Sequence, residues 1–436
     1  FDASVQRLLP GGLTLEVAYV GRLGRHLLQA LDLAEPTDFV DTQGGGDYFT
    51  AGSQISADVD QNGGKQFATV APIPYFEHVF PFLANLNQQI YDANGNVIYS
   101  GIGKSATQNA YTFEYAPQRA ALGGTTALAD IDFFCYHACP AGYVSKFWQQ
   151  QFASLYALST IGMSYYNAAE ISLRHANAHG LQFDINYTFS KAIDMGSDAE
   201  RSTEFSGPNS NNPSIAVSQS SILNTWKPYL NRAVADFDTR HIITADAVYQ
   251  LPFGKGKALL SQAHGAVNEV IGGWQYSGIF RATSGLPFSL GEPGYTTNWQ
   301  QPSFAVVTDP TLKAHRHIAA DGSVTFFSTD QLTAINNGVS TGSPVRLPYP
   351  GEAGERNFFR GDGYLDLDSS LSKAFPIKEY GALNFTWSVY NVTNTVRFDP
   401  ESITGQLTNG SLGVASAVLG GNQTPRRMQF ALRYDF

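Results

Sequence analysis

Residues 181–190 read LQFDINYTFS, and the strict alternation in this stretch decides the fold class. Apolar and polar residues take turns along it without a break. Successive side chains of a β-strand point to opposite faces, so the pattern predicts a strand with one apolar and one polar face. The apolar positions are Leu181, Phe183, Ile185, Tyr187 and Phe189.

The same alternation recurs along the chain and predicts nine strands. Most of them are 10 residues or longer, whereas a strand in a globular domain has about 5–6. A strand that crosses a bilayer at a tilt needs roughly 9–11 residues. The lengths therefore favour an all-β fold, an antiparallel transmembrane β-barrel, over a β-sandwich. The predicted strands are 1–9, 13–29, 165–176, 181–194, 237–251, 273–290, 361–376, 380–398 and 425–436.

The connections between these strands alternate between short and long. Short turns at one end of the strands and long extracellular loops at the other are typical of outer-membrane barrels. We expect the long loops to fold back over the barrel mouth or into it. The shorter connections are 10–12, 177–180, 252–272 and 377–379, and the long loops are about 30–164, 195–236, 291–360 and 399–424.

Composition narrows the class of protein. Aromatic residues make up 13% of the 436 residues, which is too many for a disordered chain. There is no apolar run long enough for a transmembrane helix, and the two cysteines exclude a disulfide-dense scaffold. The net charge of −10 and the lack of a basic patch argue against a nucleic-acid partner.

The odd number of predicted strands is informative, because single-chain bacterial barrels have an even number. The alternation of short and long connections leaves the first strand without an upstream partner. The chain also opens at Phe1 without a signal peptide. We therefore expect residues 1–436 to be the C-terminal part of one larger outer-membrane barrel domain.

A series of motifs resembles the Oar-like branch of the TonB-dependent outer-membrane receptors. Each motif is weak alone, but they occur in the family's order and end on an aromatic residue. They are LPGGLTLEVAYVGRLGRHLL (9–28), NAAEISLRHANAHGLQFDINYTFSKAID (167–194), DFDTRHIITADAVYQLPFGKGKAL (236–259), GGWQYSGIFRATSGLPFSL (272–290), YLDLDSSLSKAF (364–375), FTWSVYNVTNTVRFDP (385–400) and RMQFALRYDF (427–436).

The resemblance implies a 22-stranded barrel around an N-terminal plug, in the outer membrane of a Gram-negative-type bacterium. This chain would supply about the last nine strands and would lack the plug. The implied partners are outer-membrane lipid, the plug, a TonB-type energy-coupling protein and the barrel-assembly machinery. The implied function is TonB-dependent uptake of an unidentified ligand. The alternatives are a surface binding or adhesion barrel without active transport and, less favoured, an ungated porin.

Two groups of residues are functional candidates under this interpretation. The polar positions of two strands are candidates for lining the lumen: Gln182, Asp184, Asn186, Thr188, Asp366 and Asp368. The last strand presents an apolar edge that can be added to a sheet by main-chain pairing, which predicts a barrel-assembly signal. The residues of this signal are Phe430, Leu432, Tyr434 and Phe436.

Cys135 and Cys139 are candidates for a disulfide, because an extracytoplasmic loop is an oxidising environment. Free thiols remain an alternative. A metal site with His137 is the third, but it would lack a fourth ligand. No Ser, His and Asp constellation or phosphate-binding loop is evident, so we predict no catalytic residue, no cofactor and no metal, and a protein that is not an enzyme.

Overall fold

The structure is a computed structural model of the chain. It describes residues 1–35, 38–118, 124–138, 146, 155–197, 222–298, 301–319, 321–335, 342–418 and 425–436. No helix among these residues is both long enough and apolar enough to cross a membrane.

An antiparallel sheet is the main element of the fold, and its nine long strands follow one another in chain order. Each of the nine segments predicted from the sequence overlaps one of them. A short strand, Ala233–Val234, also pairs with the end of β4. The strands are β1 (Asp2–Leu9), β2 (Leu13–Asp32), β3 (Tyr156–Ala178), β4 (Leu181–Asp194), β5 (His241–Gln250), β6 (Trp274–Thr283), β7 (Tyr364–Pro376), β8 (Ala382–Tyr390) and β9 (Arg427–Asp435).

The two longest strands extend beyond their predicted bounds. β2 has 20 residues and β3 has 23. The register between them shifts twice, between Gly24 and Leu27 and again between Leu27 and Gln29. These irregularities interrupt the alternation along β2, which explains why the sequence pattern ends the strand too early.

The sheet is open within the described residues. β1 pairs only with β2, and β9 pairs only with β8. No closed barrel is therefore formed by this part of the chain.

Tight turns join several strands at one end of the sheet. Ala178 pairs with Leu181, so only His179 and Gly180 connect β3 to β4. Both residues have positive φ, 54° and 80°, as the preferred two-residue hairpin turns require. Glycine takes this conformation without steric cost, which explains Gly180 at the second position.

The register sorts the side chains of the sheet onto two faces. On the first, Ile171 lies opposite Tyr187, which lies opposite Ile243. On the second, Asp184 lies opposite both Arg174 and Asp246. Directly opposed residues share a face, so these pairs extend the alternation of single strands across the sheet. We call the two surfaces the apolar face and the polar face.

The described parts of the long connections contain helices and short strands, whereas the sequence predicts loops there. A helical lobe lies between β2 and β3, around a core that includes Ile55, Val59, Tyr75 and Phe76. Buried residues of α1 follow a helical spacing at positions 48, 52, 55 and 59. This helical spacing differs from the alternation of apolar and polar residues that predicts the strands.

A second lobe combines residues from two connections, β6–β7 and β8–β9. Its core includes Phe288, Phe327, Phe359 and Ile403. We call it the β lobe, because it consists mostly of short paired strands. These pair as Pro287–Phe288 with Phe359–Arg360, Gly291–Asn298 with Gln301–Phe304, Val306–Val307 with Val345–Arg346, and His317–Ile318 with Val324–Thr325, which also pairs with Val414–Ala415.

The remaining elements are helices and two short strand pairs. The helices are α1 (Tyr48–Gln61), α2 (Pro74–Val79), α3 (Ala106–Ala110), α4 (Ala116–Gln118), α5 (Gly124–Ala138), α6 (Gly265–Ile271) and α7 (Thr329–Ile335). A π-helical turn covers Tyr111–Tyr115, and 3-10 turns cover Pro81–Leu83, Pro228–Asn231, Lys378–Tyr380 and Pro400–Ser402. In the helical lobe, Val40–Asp41 pairs with Gly46–Asp47, and Gln89–Tyr91 pairs with Val97–Ser100.

The two lobes touch each other. Ser53 Oγ donates to Pro350 O at 3.2 Å, and Tyr349 Oη donates to Asp60 Oδ2 at 3.0 Å. Lys227 belongs to the connection between β4 and β5, and its Nζ lies 5.2 Å from the ring centroid of Phe49. The lobes and residues 222–240 thus form one connected body, which we call the cap.

Candidate functional site: a polar face beneath a cap

The six residues predicted to line a lumen lie on the polar face. Asp184 is opposite Asp246, Asp246 is opposite Ile279, and Ile279 is opposite Asp368. One row of the sheet therefore connects the β4 candidates to those on β7. Gln182, Asn186, Thr188 and Asp366 share the same face by the same register. That this face lines a lumen stays a prediction.

Hydrogen bonds and an ion pair orient the side chains on the polar face. Arg174 Nε lies 2.8 Å from Asp184 Oδ2. Asn186 Nδ2 donates to Asp184 Oδ1 at 2.7 Å, and Ser172 Oγ donates to Asn186 Oδ1. Asp368 Oδ1 accepts from the backbone N–H of Asn391 at 2.8 Å.

Acidic residues outnumber basic ones across the middle of the polar face. The three arginines there are Arg174, Arg281 and Arg427. The register places six carboxylates on the same face, at Glu16, Glu170, Asp184, Asp246, Asp366 and Asp368. Such a surface attracts cations and repels anions.

The cap covers the polar face at one end of the strands. Ala168, Ser190, Ala192 and Asp194 belong to the polar face at that end, and all four are buried. Lys191, between them on the apolar face, is exposed. The cap therefore packs on the polar side of the sheet.

A buried arginine fastens the β lobe to the sheet. The Arg356 side chain is 1% exposed and forms ion pairs with Asp194 at the end of β4 and with Asp236. Its Nη1 lies 3.1 Å from Asp236 Oδ1, and its Nη2 donates to Asp194 O at 3.2 Å. Asn357 Nδ2 also donates to Val234 O at 2.7 Å.

A second arginine repeats this arrangement four residues later. Arg360 pairs with the Asp238 carboxylate, and its Nη1 donates to Asp238 O at 2.9 Å and to Gly285 O at 3.0 Å. Asp238 Oδ1 in turn accepts from the Ala192 backbone N–H at 2.6 Å. We call the contacts of Arg356 and Arg360 with these aspartates the arginine junction.

Sequence reasoning missed the arginine junction. Its partners lie more than 100 residues apart in the chain, with separations of 162 for Arg356 and Asp194 and 122 for Arg360 and Asp238. The only sequence signal was a concentration of charged residues in two short stretches, 236–240 and 354–360. Nothing in that signal says which charges meet.

Carboxyl groups are also buried inside the cap. Glu35 lies just past β2, and its Oε2 accepts from the Thr225 backbone N–H at 2.6 Å. Burial raises the pKa of Glu35 to about 8, although the hydrogen bonds from Thr225 oppose the rise. In the helical lobe, burial raises the pKa of Glu114 to about 8, with a smaller contribution from Asp130.

An open cleft of about 590 Å³ lies where β6 and β7 meet the cap. Arg316 Nη1 lies 3.0 Å from Asp362 Oδ2 in its wall. Burial raises the pKa of Asp362, and Arg316 partly offsets this. The lining residues are Thr283, Arg316, Ile318, Val324, Asp362, Gly363, Tyr364, Leu365, Asn394, Thr395, Val396 and Phe398.

The lining of the cleft is mixed. Its walls combine apolar side chains with one ion pair and several hydroxyl and amide groups. Among the described residues, no three or more His, Cys, Asp or Glu side chains are grouped so as to hold a metal ion.

The other candidates from the sequence are placed only in part. The backbone of Cys135 belongs to α5, and Cys139 lies outside the described residues, so the disulfide stays a prediction. Phe430 lies on the apolar face opposite Trp387, and their rings stack with centroids 6.1 Å apart. Leu432 and Tyr434 share that face, and Phe436 follows β9. Their role as an assembly signal stays a prediction.

Two solved structures resemble the chain weakly. The ferric-catecholate import receptor Fiu from Escherichia coli K12, in a closed form, is 13% identical with a TM-score of 0.26, and the match covers 63% of this chain and 21% of that one. The outer-membrane transporter YddB from Escherichia coli is 8% identical with a TM-score of 0.34, covering 99% of this chain and 31% of that one. This chain thus spans about a fifth to a third of their lengths.

No curated protein matches the chain in sequence. The model of one family, described as an outer membrane beta barrel domain, matches residues 1–429. This match covers almost the whole chain and agrees with the two-faced antiparallel sheet. The chain belongs to the outer-membrane β-barrel domain family, and the protein is located in the outer membrane.

Proposed function

We propose that the chain is part of an outer-membrane receptor that takes up a ligand in a TonB-dependent manner. In this proposal β1 and β9 pair with further strands of a larger barrel, of about 22 strands by the resemblance, and a plug domain fills its lumen. The apolar face contacts lipid, and the polar face lines the passage. The observation that carries the proposal is the cap, which covers the polar face at one end of the strands.

The covered polar face favours active uptake over passive diffusion through an open pore. In an ungated porin the lumen stays open, but here the arginine junction holds folded lobes over the end of the polar face. A ligand would bind at the outer surface of the cap or in the cleft before it reached the passage. Transfer of the ligand would then need a movement of the plug in the lumen, driven by the energy-coupling protein.

The charge of the polar face limits the chemical class of the proposed ligand. Six carboxylates against three arginines favour a neutral or cationic ligand over an anionic one. The cleft adds apolar contact area beside hydrogen-bonding groups. The proposed ligand is therefore a polar molecule without net negative charge.

The test compares three strains: the wild type, a deletion of this gene and a deletion of the energy-coupling protein. Depletion of small molecules from the medium is followed by mass spectrometry. We expect the wild type to deplete one set of compounds that both deletion strains leave in the medium. Depletion that needs this gene but not the coupling protein would contradict TonB dependence.

A surface-binding barrel without transport is the second candidate, and one feature of the cap favours it. On the helical lobe, the strand pair Gln89–Tyr91 and Val97–Ser100 exposes Tyr91 and Val97, which lie opposite each other, and also Ile98. Exposed apolar groups of this kind often mark protein-binding sites. If wild-type cells bind a partner through this protein but take up nothing through it, and deletion of the coupling protein changes neither result, the second candidate is correct.

A further inference from the structure

The connection between β5 and β6, residues 251–273, lies at the end of the strands opposite the cap. It is compact, with backbone hydrogen bonds from Leu259 N to Pro252 O at 2.8 Å and from Gly254 N to Leu259 O at 3.0 Å. Its apolar side chains nevertheless point outward. The exposed ones include Leu259, Leu260, Val267 and Val270, and none of them belongs to a buried cluster.

Helix α6 carries an apolar stripe within this connection. Side chains on a helix are separated by about 100° per residue, so Val267, Val270 and Ile271 fall within a sector of roughly 100°. Val267 is 60% exposed and Val270 is 67% exposed. Glu269 points to the opposite side of the helix. An exposed apolar stripe on an ordered helix is unfavourable in water and favourable at a lipid surface.

Two residues of the apolar face hold α6 against that side of the sheet. Trp274 and Lys373 are directly opposed on β6 and β7. Trp274 Nε1 donates to Val270 O at 2.8 Å, and Lys373 Nζ donates to Glu269 O. Lys373 Nζ also lies 4.8 Å from the ring centroid of Phe375 and 5.6 Å from that of Trp274. The stripe of α6 therefore continues the apolar face.

The polar side of α6 is tied to the rest of the connection. Asn268 Oδ1 accepts from the Lys255 backbone N–H at 2.7 Å. Gly254 has a φ of +111°, and a Cβ there would lie 2.8 Å from the Gly272 Cα. This close approach requires glycine at position 254. Lys255 and Lys257 are exposed beside it.

We infer that residues 251–273 form an interfacial anchor that inserts the α6 stripe, with Leu259 and Leu260, into the phospholipid leaflet at the short-turn end. Two observations identify lipid as the occupant. The stripe is continuous with the lipid-facing surface, and the ammonium groups of Lys255 and Lys257 complement headgroup phosphates. A helix with such a stripe lies in the plane of the interface. The inference rests on the proposed orientation of the apolar face toward lipid.

The test places single spin labels on the full-length native protein, with Cys135 and Cys139 replaced by Ser, in vesicles of phosphatidylethanolamine and phosphatidylglycerol. Labels at Val270→Cys and Val267→Cys report on the stripe. Glu269→Cys is the matched control on the opposite side of α6, and Phe385→Cys is the reference for the apolar face. Collision rates with oxygen, which concentrates in lipid, and with a water-soluble nickel chelate are compared.

We expect the oxygen-to-nickel collision ratio at residues 267 and 270 to exceed that at 269 several-fold. The depth of the two labels should be about 5–10 Å into the boundary between headgroups and acyl chains. Equal ratios at 269 and 270, with a lipid signal at 385, would overturn the anchor and leave the barrel orientation standing. A water signal at 385 would overturn both. If Val270→Cys does not assemble, Val267→Cys decides.

Discussion

The sheet and the cap use similar side chains in opposite ways. Phe430, on the apolar face of β9, is 66% exposed, whereas Phe327, in the β lobe, is fully buried. The apolar face is a continuous surface of such exposed residues, and the cap hides its apolar residues in separate cores. The difference agrees with the proposed orientation, in which the apolar face contacts lipid and the cap contacts water.

The same comparison extends to charged groups. Ion pairs on the polar face, such as that between Arg174 and Asp184, are partly exposed. The Arg356–Asp194 pair of the arginine junction is almost completely buried. Buried ion pairs are costly to break, because the surviving partner keeps its charge without compensation. The arginine junction therefore gives the cap a defined position over the polar face.

The largest effect is expected for Arg356→Ala, which leaves Asp194 and Asp236 without their arginine. Removing one partner of a buried ion pair costs about 3–5 kcal/mol. The β lobe should detach from the end of β4, seen as increased hydrogen exchange at 285–298 and 342–362. The matched control is Arg174→Ala, an exposed pair worth about 0–1 kcal/mol. Equal protection in both variants would mean that the arginine junction does not position the cap.

The next largest effect tests whether the apolar face contacts lipid. Ile185 lies in the middle of β4, opposite Leu173 and Ala245. Ile185→Arg should cost about 2–4 kcal/mol if this position is near the bilayer midplane. The measurement is unfolding by urea in lipid vesicles. Asn186→Arg, one residue along on the polar face, is the control and should unfold close to wild type.

A smaller effect concerns pH and the cap. The pKa of Glu35 rises from its ordinary 4.5 to about 8 in the folded protein. Between these values the folded state holds a proton that the unfolded state has lost, so stability is full below pH 4.5 and decreases as pH rises toward 8. The slope is at most about 1.4 kcal/mol per pH unit.

Hydrogen exchange of residues 30–35 and 222–235, measured between pH 5 and pH 8 and corrected for the intrinsic rate, checks this slope. In Glu35→Gln this pH dependence should become weaker. A contribution of the same sign should remain, because the pKa of Glu114 in the cap is also raised. A slope that is unchanged in Glu35→Gln would show that the carboxyl group of Glu35 does not couple cap stability to pH.

The smallest effect is expected at the start of α1. The Asp47 side chain caps this helix by accepting from the Thr50 backbone N–H at 2.7 Å. Asp47→Ala should destabilise the helical lobe by about 1 kcal/mol. Asp47→Asn, which can still cap, should restore most of the loss. Proteolysis within the helical lobe is a suitable measurement, and equal cleavage of both variants would contradict the capping role.

The sequence predicted the sheet well for a physical reason. Along a strand of a two-faced sheet, successive side chains point to the apolar and the polar face in turn. The alternation is therefore visible in neighbouring residues such as Phe183, Asp184 and Ile185. The six lumen candidates could be placed on one face by the same rule. The strand ends were predicted less well, because the register shifts near Gly24 are not visible in composition.

The cap could not be predicted in the same way. The β-lobe core joins Phe288, Phe327, Phe359 and Ile403, which come from connections on both sides of β7 and β8. Such contacts depend on which segments the sheet brings together, and no local pattern reports them. The helical lobe was within reach, because residues 48–59 have a helical period.

By itself the sequence determined that this protein has a long-stranded antiparallel sheet with one apolar and one polar face, because alternation is a local property. Only the tertiary structure decided that the long connections form a cap, that Arg356 and Arg360 fasten the β lobe to Asp194, Asp236 and Asp238, and that α6 continues the apolar face. Each of these depends on groups distant in the chain that meet only after the sheet has formed.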